Sequence, residues 1–306
     1  MNKYYHKNIV CTYLYSITKY GYPPPARDTL KYIDEMYSLG FQSIELEGIR
    51  EKHLMEVYDL KGDISNKLKS LNLGLQFFCI VLPELSSMDK KIRRKQLSLF
   101  EKGCEIAKTI GARSVMDNSP LPPYHFPEDI PVVRHYDEDV LSVATLPTNI
   151  LWSDYWMNLT STYRECCSIA ASFELNFAMH PAIGLLVSNA DAFLYFFDSV
   201  AKENLKFTFD TANQFVIKEN LPISLIRLKD YVEYIHLSDN KGLEVEHLEA
   251  GKGKISWDVF FNTLSRINYR GYIGIDVGGA ESDVDDLDKA YLNTAAFIEK
   301  KWFDKK

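Results

Sequence analysis

Cysteine is scarce and unpatterned. Cys11, Cys79, Cys104, Cys166 and Cys167 form neither a Cys-x-x-Cys pair nor a zinc-knuckle spacing, so the sequence offers no case for a disulfide framework or a structural zinc site. They read as reduced, mostly buried thiols of a cytoplasmic protein. Long apolar runs are missing as well. Nothing approaches the roughly 18 residues of a membrane helix, and the first residues, M-N-K-Y-Y-H-K, lack the apolar stretch of a signal peptide. No glycine-rich phosphate fingerprint of the dinucleotide or P-loop type follows the first strand. Positive charge is in deficit, with 35 Lys and Arg against 42 Asp and Glu and a net charge of −7. That balance argues against nucleic acid, whose non-specific affinity comes from clustered cations. The one basic cluster, Lys90–Lys95, reads as the solvated face of an amphipathic helix. Asn158, Leu159 and Thr160 match a glycosylation sequon, but they fall inside an expected helix. Histidine is sparse, seven in 306 residues.

What is present is a rhythm of strand and helix. Strands are expected at Ile9–Leu14, Gln42–Glu47, Leu73–Ile80 and Arg113–Asp117 in the first half. Helices follow at about Asp28–Leu39, from the second strand to about Leu71, and at Lys90–Ile110, with Gly40 and Gly111 as C-terminal stops. In the second half, helices near 153–172, 190–202, 223–228, 256–267 and 286–303 alternate with four more strands. Such alternation implies a parallel sheet. Eight units in one 306-residue chain fit a single closed (β/α)₈ TIM barrel spanning residues 1–306. One connection breaks the rhythm: Asn118–Trp152, rich in proline and aromatics, is read as a lid or substrate wall, because long connections in compact domains tend to carry function.

Four segments of the second half each run apolar and stop at a polar, metal-capable residue: Glu174–His180, Leu205–Asp210, Val232–His236 and Tyr272–Asp276. They read as buried parallel strands, whose carboxyl ends are where an α/β protein places its chemistry. Strand side chains alternate faces. One parity therefore carries His180, Asp210, His236 and Asp276 toward a common centre, and the other is largely aliphatic and aromatic.

Two stretches name a family. I-H-L-S-D-N-K-G-L-E-V-E-H-L-E-A-G-K-G at Ile235–Gly253 and N-Y-R-G-Y-I-G-I-D at Asn268–Asp276, together with F-D-T-A-N at Phe209–Asn213, resemble the sugar phosphate isomerase/epimerase superfamily, the xylose isomerase-like barrels. The resemblance implies one divalent metal (Mn, Mg, Co or Zn) held by a Glu on strand five, an Asp on strand six, a His on strand seven and a Glu on strand eight. Matched by position, Asp210 and His236 are ligands and Asp276 stands one methylene short of the strand-eight Glu. Strand five departs from the pattern: Ala178, Met179, His180 and Pro181 replace an E-x-H-P-like ending, and an alanine neither binds metal nor moves a proton.

Three groups are candidates to compensate. His180 lies on the face of Ala178, one pleat further out, as a ligand or catalytic group. His247 aligns with a family position that contacts substrate or an additional metal. Glu45, with Glu47 beside it on strand two, is a replacement acid–base or substrate contact. Asp239 is read as supporting a ligand or binding substrate, and Trp152 as a ring on which a sugar could stack. Asn213 stands where the endonuclease branch carries a histidine, which counts against a nuclease. The expected function is a metal-dependent isomerase or epimerase working through an enediolate, with Asp276 doubling as general base. The alternative is a catalytically impaired barrel that binds sugar or regulates. The expected partner is a small-molecule carbohydrate, with a homo-oligomer left open.

Overall fold

Eight parallel strands close into a ring in chain order, each hydrogen-bonded to the next and β8 back to β1. The computed structural model describes residues 4–126, 138–280 and 282–304. The strands are β1 Ile9–Cys11, β2 Ser43–Ile49, β3 Gly74–Val81, β4 Ser114–Asn118, β5 Asn176–His180, β6 Leu205–Asp210, β7 Val232–Leu237 and β8 Tyr272–Ile275. The main helices between them are α1 Leu14–Tyr20, α2 Thr29–Ser38, α3 Arg50–Leu71, α4 Lys90–Ile110, α5 Glu138–Ser142, α6 Trp152–Ser172, α7 Ala190–Val200, α8 Thr211–Val216, α9 Leu221–Arg227, α10 Trp257–Arg266 and α11 Leu287–Ile298.

Local chemistry accounts for the helix ends. α4 begins where the Asp89 carboxylate accepts from the Lys91 amide at 2.6 Å and stops where Gly111 turns left-handed at φ +85°. Leu97, Phe100, Cys104 and Ala107 recur at helical spacing along its buried face. Each large apolar side chain buried this way contributes about 1.5–3 kcal/mol. Inside the ring, Phe77 of β3 lies parallel to Tyr234 of β7, with centroids 3.9 Å apart. Gly274 of β8 makes room for that layer, since a Cβ there would meet the Tyr234 hydroxyl at 2.3 Å and Thr12 at 2.7 Å.

β1 stops at Cys11, and Leu14, read as its last residue, instead opens α1, which buries Leu14, Tyr15 and Ile17. α8 follows β6 directly and was not expected. In the connection after β4, residues 127–137 lie outside the described residues, so the lid reading there has no structural account. The flanks are ordered by backbone pairing: His125 and Thr145 exchange hydrogen bonds of 2.7 and 2.8 Å. The Ser119 amide donates to the His180 carbonyl at 2.8 Å, which ties the start of this connection to the end of β5. Among the described residues, no helix is long and apolar enough to cross a membrane. All five cysteines are buried thiols.

Candidate metal centre

Register brings the chemistry together. Asp210 on β6 is the direct partner of His236 on β7, and His236 pairs with Gly274 on β8, which puts Asp276 one pleat above. His180 ends β5 opposite Asn118. Ligand atoms from His180, Asp210, His236 and Asp276 all lie within 4.8 Å of one another, and all four residues are buried. Metal–nitrogen and metal–oxygen bonds of about 2.0–2.2 Å place neighbouring ligand atoms roughly 3–4 Å apart. The cluster therefore needs only a small contraction to surround one ion, and its two imidazoles and two carboxylates are a donor set that divalent transition metals accept.

Each of these side chains is held by its neighbours. Asp210 Oδ1 accepts from the Asn213 amide at 2.8 Å, and its Oδ2 accepts from Asn213 Nδ2 at 2.9 Å and from His180 Nε2 at 3.0 Å. Asp210 thus caps α8, and the cap fixes the carboxylate. Thr12, just after β1, donates to Asp276 Oδ1 at 3.0 Å. His236 Nε2 lies 3.1 Å from Glu45 Oε2, while its Nδ1 lies 3.6 Å from Asp276 Oδ2, beyond hydrogen-bonding reach. The rings of His180 and His236 sit 4.9 Å apart.

The electrostatics follow from this packing. Burial alone would raise the Asp210 carboxyl, but the hydrogen bond and charge of His180, with a smaller contribution from His247, bring it down to about 2. Burial likewise opposes charge on His236. The carboxylates of Asp276 and Glu45 outweigh it and lift the imidazole to about 10. Charges this deeply buried are tolerated only when paired. A proton on His236 does that work here, and a divalent ion coordinated by the same ring would take its place.

The remaining expected residues divide. His247 joins the centre: its Nδ1 lies 3.1 Å from the Asp276 carbonyl, 3.1 Å from Ser238 Oγ and 3.5 Å from Asp276 Oδ2. Its backbone has φ +42°, a conformation that side chains rarely adopt. Glu45 meets His236, and Glu47 is buried one pleat further along β2. Asp239, read as a ligand support or substrate contact, is committed elsewhere. Its carboxylate accepts from the amides of Asn240, Gly251 and Ile255 and from Trp257 Nε1, at 2.8 to 3.2 Å. It is the hub of its own loop, and a Cβ on Gly253 would come within 2.3 Å of Asp239 Oδ1. Trp152, read as a sugar-stacking ring, is half exposed and packs on Trp156 and Tyr155 of its own helix. Two contributors went unnoticed in the sequence: Thr12 and the Tyr13 amide, which points at Glu45 Oε1 at 3.4 Å. Their only signal was a position near the carboxyl end of the expected first strand, Ile9–Leu14.

Comparison with known proteins defines the class. The family model described as xylose isomerase-like TIM barrel matches residues 33–301, and the chain belongs to that family. Two uncharacterised proteins of Methanocaldococcus jannaschii are similar. One is 28% identical over 142 residues, 41% of this chain and 46% of the relative. The other is 36% identical over 84 residues, 28% of this chain and 31% of the relative. The matched region thus spans less than half of either curated relative. Among solved structures, an L-ribulose 3-epimerase superposes with TM-score 0.74 at 14% identity, covering 97% of this chain and 94% of its own. A 3-keto-D-glucoside 4-epimerase from E. coli gives 0.72 at 14%, covering 96% and 100%. A D-allulose 3-epimerase from Methylomonas sp., solved with D-allulose, gives 0.72 at 16%, covering 99% and 100%. At these identities the likeness is one of fold.

Proposed function

We propose that this barrel is a divalent-metal-dependent isomerase or epimerase of a sugar, sugar phosphate or polyol-derived ketone. The observation that carries the reading is the convergence of His180, Asp210, His236 and Asp276 at the strand ends. These four residues would hold the ion. When bound, a divalent ion supplies Lewis-acid stabilisation of the negative charge that develops on a substrate oxygen as a neighbouring C–H proton leaves.

The chain's own groups do the rest. Asp276, steadied by Thr12 at Oδ1 and flanked by His236 and His247 at Oδ2, is the carboxylate positioned to hold or move the proton. General acid–base assistance of this kind contributes about 10²–10⁴-fold. His247, 3.5 Å from Asp276 Oδ2, would be the imidazole to contact a substrate oxygen beside it. His180 supplies an imidazole from the strand on which Ala178, fully buried, offers no acid. The solved sugar epimerases of the same fold favour a carbohydrate substrate.

The test is metal content and turnover together. Protein purified without chelator, or stripped and reloaded with Mn²⁺, Co²⁺ or Zn²⁺, is expected to carry about one ion and to interconvert a ketose or aldose in a panel followed by ¹³C NMR. Absence of stoichiometric metal under every loading condition would sink the proposal. Ala178 favours a second reading, a barrel that binds metal and sugar without turnover. Saturable sugar binding by calorimetry with no conversion of any panel member would establish it.

A further inference from the structure

We propose that Glu45 is a positioning residue that selects which nitrogen of His236 faces the metal. The inference rests on the metal reading above and assigns a role the sequence did not suggest, since Glu45 was expected to replace the missing strand-five acid.

Glu45 and His236 stand 191 positions apart in the chain and on strands separated by β8 and β1, yet Glu45 Oε2 lies 3.1 Å from His236 Nε2. Both residues are almost completely buried, at 0% and 1% exposure. A carboxylate only accepts, so the Nε2 atom carries the hydrogen. The other carboxylate oxygen, Oε1, takes the Tyr13 amide at 3.4 Å. Each oxygen of Glu45 thus has a partner, one backbone and one imidazole, within a fully buried side chain.

The opposite edge of the ring is different. His236 Nδ1 makes no hydrogen bond and lies 3.6 Å from Asp276 Oδ2, on the side where the ligand cluster gathers. Tyr234 abuts the same imidazole at 84° and 4.8 Å between centroids, which limits rotation of the ring. Glu45 is not part of the four-residue cluster. The arrangement is an outer carboxylate fixing a ligand imidazole through its second nitrogen, an interaction that commonly changes metal affinity by about 10–100-fold when removed. His236 therefore binds through Nδ1, and Glu45 acts on the ion only through that ring.

The experiment titrates metal-free wild-type, Glu45→Gln and Glu45→Ala protein with Zn²⁺ against a competing chelator. It also records ¹⁵N-histidine spectra of the Zn²⁺-loaded forms. Glu45→Ala is expected to weaken Zn²⁺ binding about 10–100-fold, and Glu45→Gln, which keeps an acceptor oxygen, to restore much of the loss. In loaded wild type the His236 hydrogen should reside on Nε2 and exchange slowly with solvent. In Glu45→Ala it should exchange fast. Thermal melts of the metal-free forms separate a folding defect from a binding defect, and Glu45→Gln keeps the test open if the alanine variant does not fold. A loaded His236 protonated at Nδ1, or folded Glu45→Ala that binds Zn²⁺ as tightly as wild type, overturns this assignment alone. A wild type that binds no Zn²⁺, Co²⁺ or Mn²⁺ overturns the metal reading and this assignment with it.

Discussion

At the scale of single residues, the polar ends of buried strands mark the centre. Asp210, His236 and Asp276 were visible in the sequence because a charged or imidazole side chain closing an apolar run has few bland explanations. What surrounds them was not visible. The Asp276 carboxylate depends on Thr12, 264 positions earlier, and no local pattern announces such a partnership. Asp239 misled for the opposite reason: it stands three residues after His236, but its partners are backbone amides and the Trp257 indole, pairings that sequence does not display. Two outcomes are expected at this scale. Asp210→Asn and His236→Ala should each lower metal affinity by at least the roughly 10–100-fold typical of supporting residues, read by equilibrium dialysis. Asp239→Ala should strip four donors of their acceptor, three of them buried. At about 1–3 kcal/mol for an unsatisfied group, partly relieved by water, the loss should be on the order of 3–5 kcal/mol, measured by urea unfolding.

Among the elements, long helices and strands were legible and short connectors were not. α4 was readable to the residue because Gly111 closes an amphipathic run that opens at Lys90, while the Asp89 cap emerges only in the structure. α1 was hidden because Leu14 and Tyr15 continue the apolar character of the strand before them. The start of α3 carries a pH signature. His53 Nδ1 accepts from the Ile49 amide at 3.0 Å, and burial, opposed weakly by the charge of Glu56, pulls the imidazole from 6.5 down to about 4. A base whose folded value is depressed contributes its full stability above the unfolded value and loses it as pH falls toward the folded one. The fold should therefore weaken between about pH 6.5 and 4, by on the order of 3 kcal/mol if the shift is fully expressed. His53→Gln should flatten that part of the profile in denaturant titrations at pH 4.5 and 7.5, relative to wild type.

For the whole molecule, closure of the ring decides what the strand tips can do together. The alternating pattern pointed to a barrel, and register then did what no motif could, setting Asp210 beside His236 and Asp276 one pleat above Gly274. An ion held by His180, Asp210, His236 and Asp276 would link β5, β6, β7 and the end of β8, and such binding would add to global stability by mass action. At free metal 100-fold above Kd the gain is about 2.7 kcal/mol. Scanning calorimetry should show Tm rising by several degrees, and chelator should reverse it. The gain should shrink at low pH, where protons compete for the same imidazoles and carboxylates.

The loop organised by Asp239 has one more consequence. Asp239 and Leu248 exchange backbone hydrogen bonds of 2.8 and 2.9 Å, and the Asp239 carboxylate gathers amides from three further points of the loop. His247, adjacent to Leu248, is therefore set in place when the chain folds. Under the proposed function, a ligand bound there would meet an imidazole already oriented, and little entropy would be lost in ordering that segment.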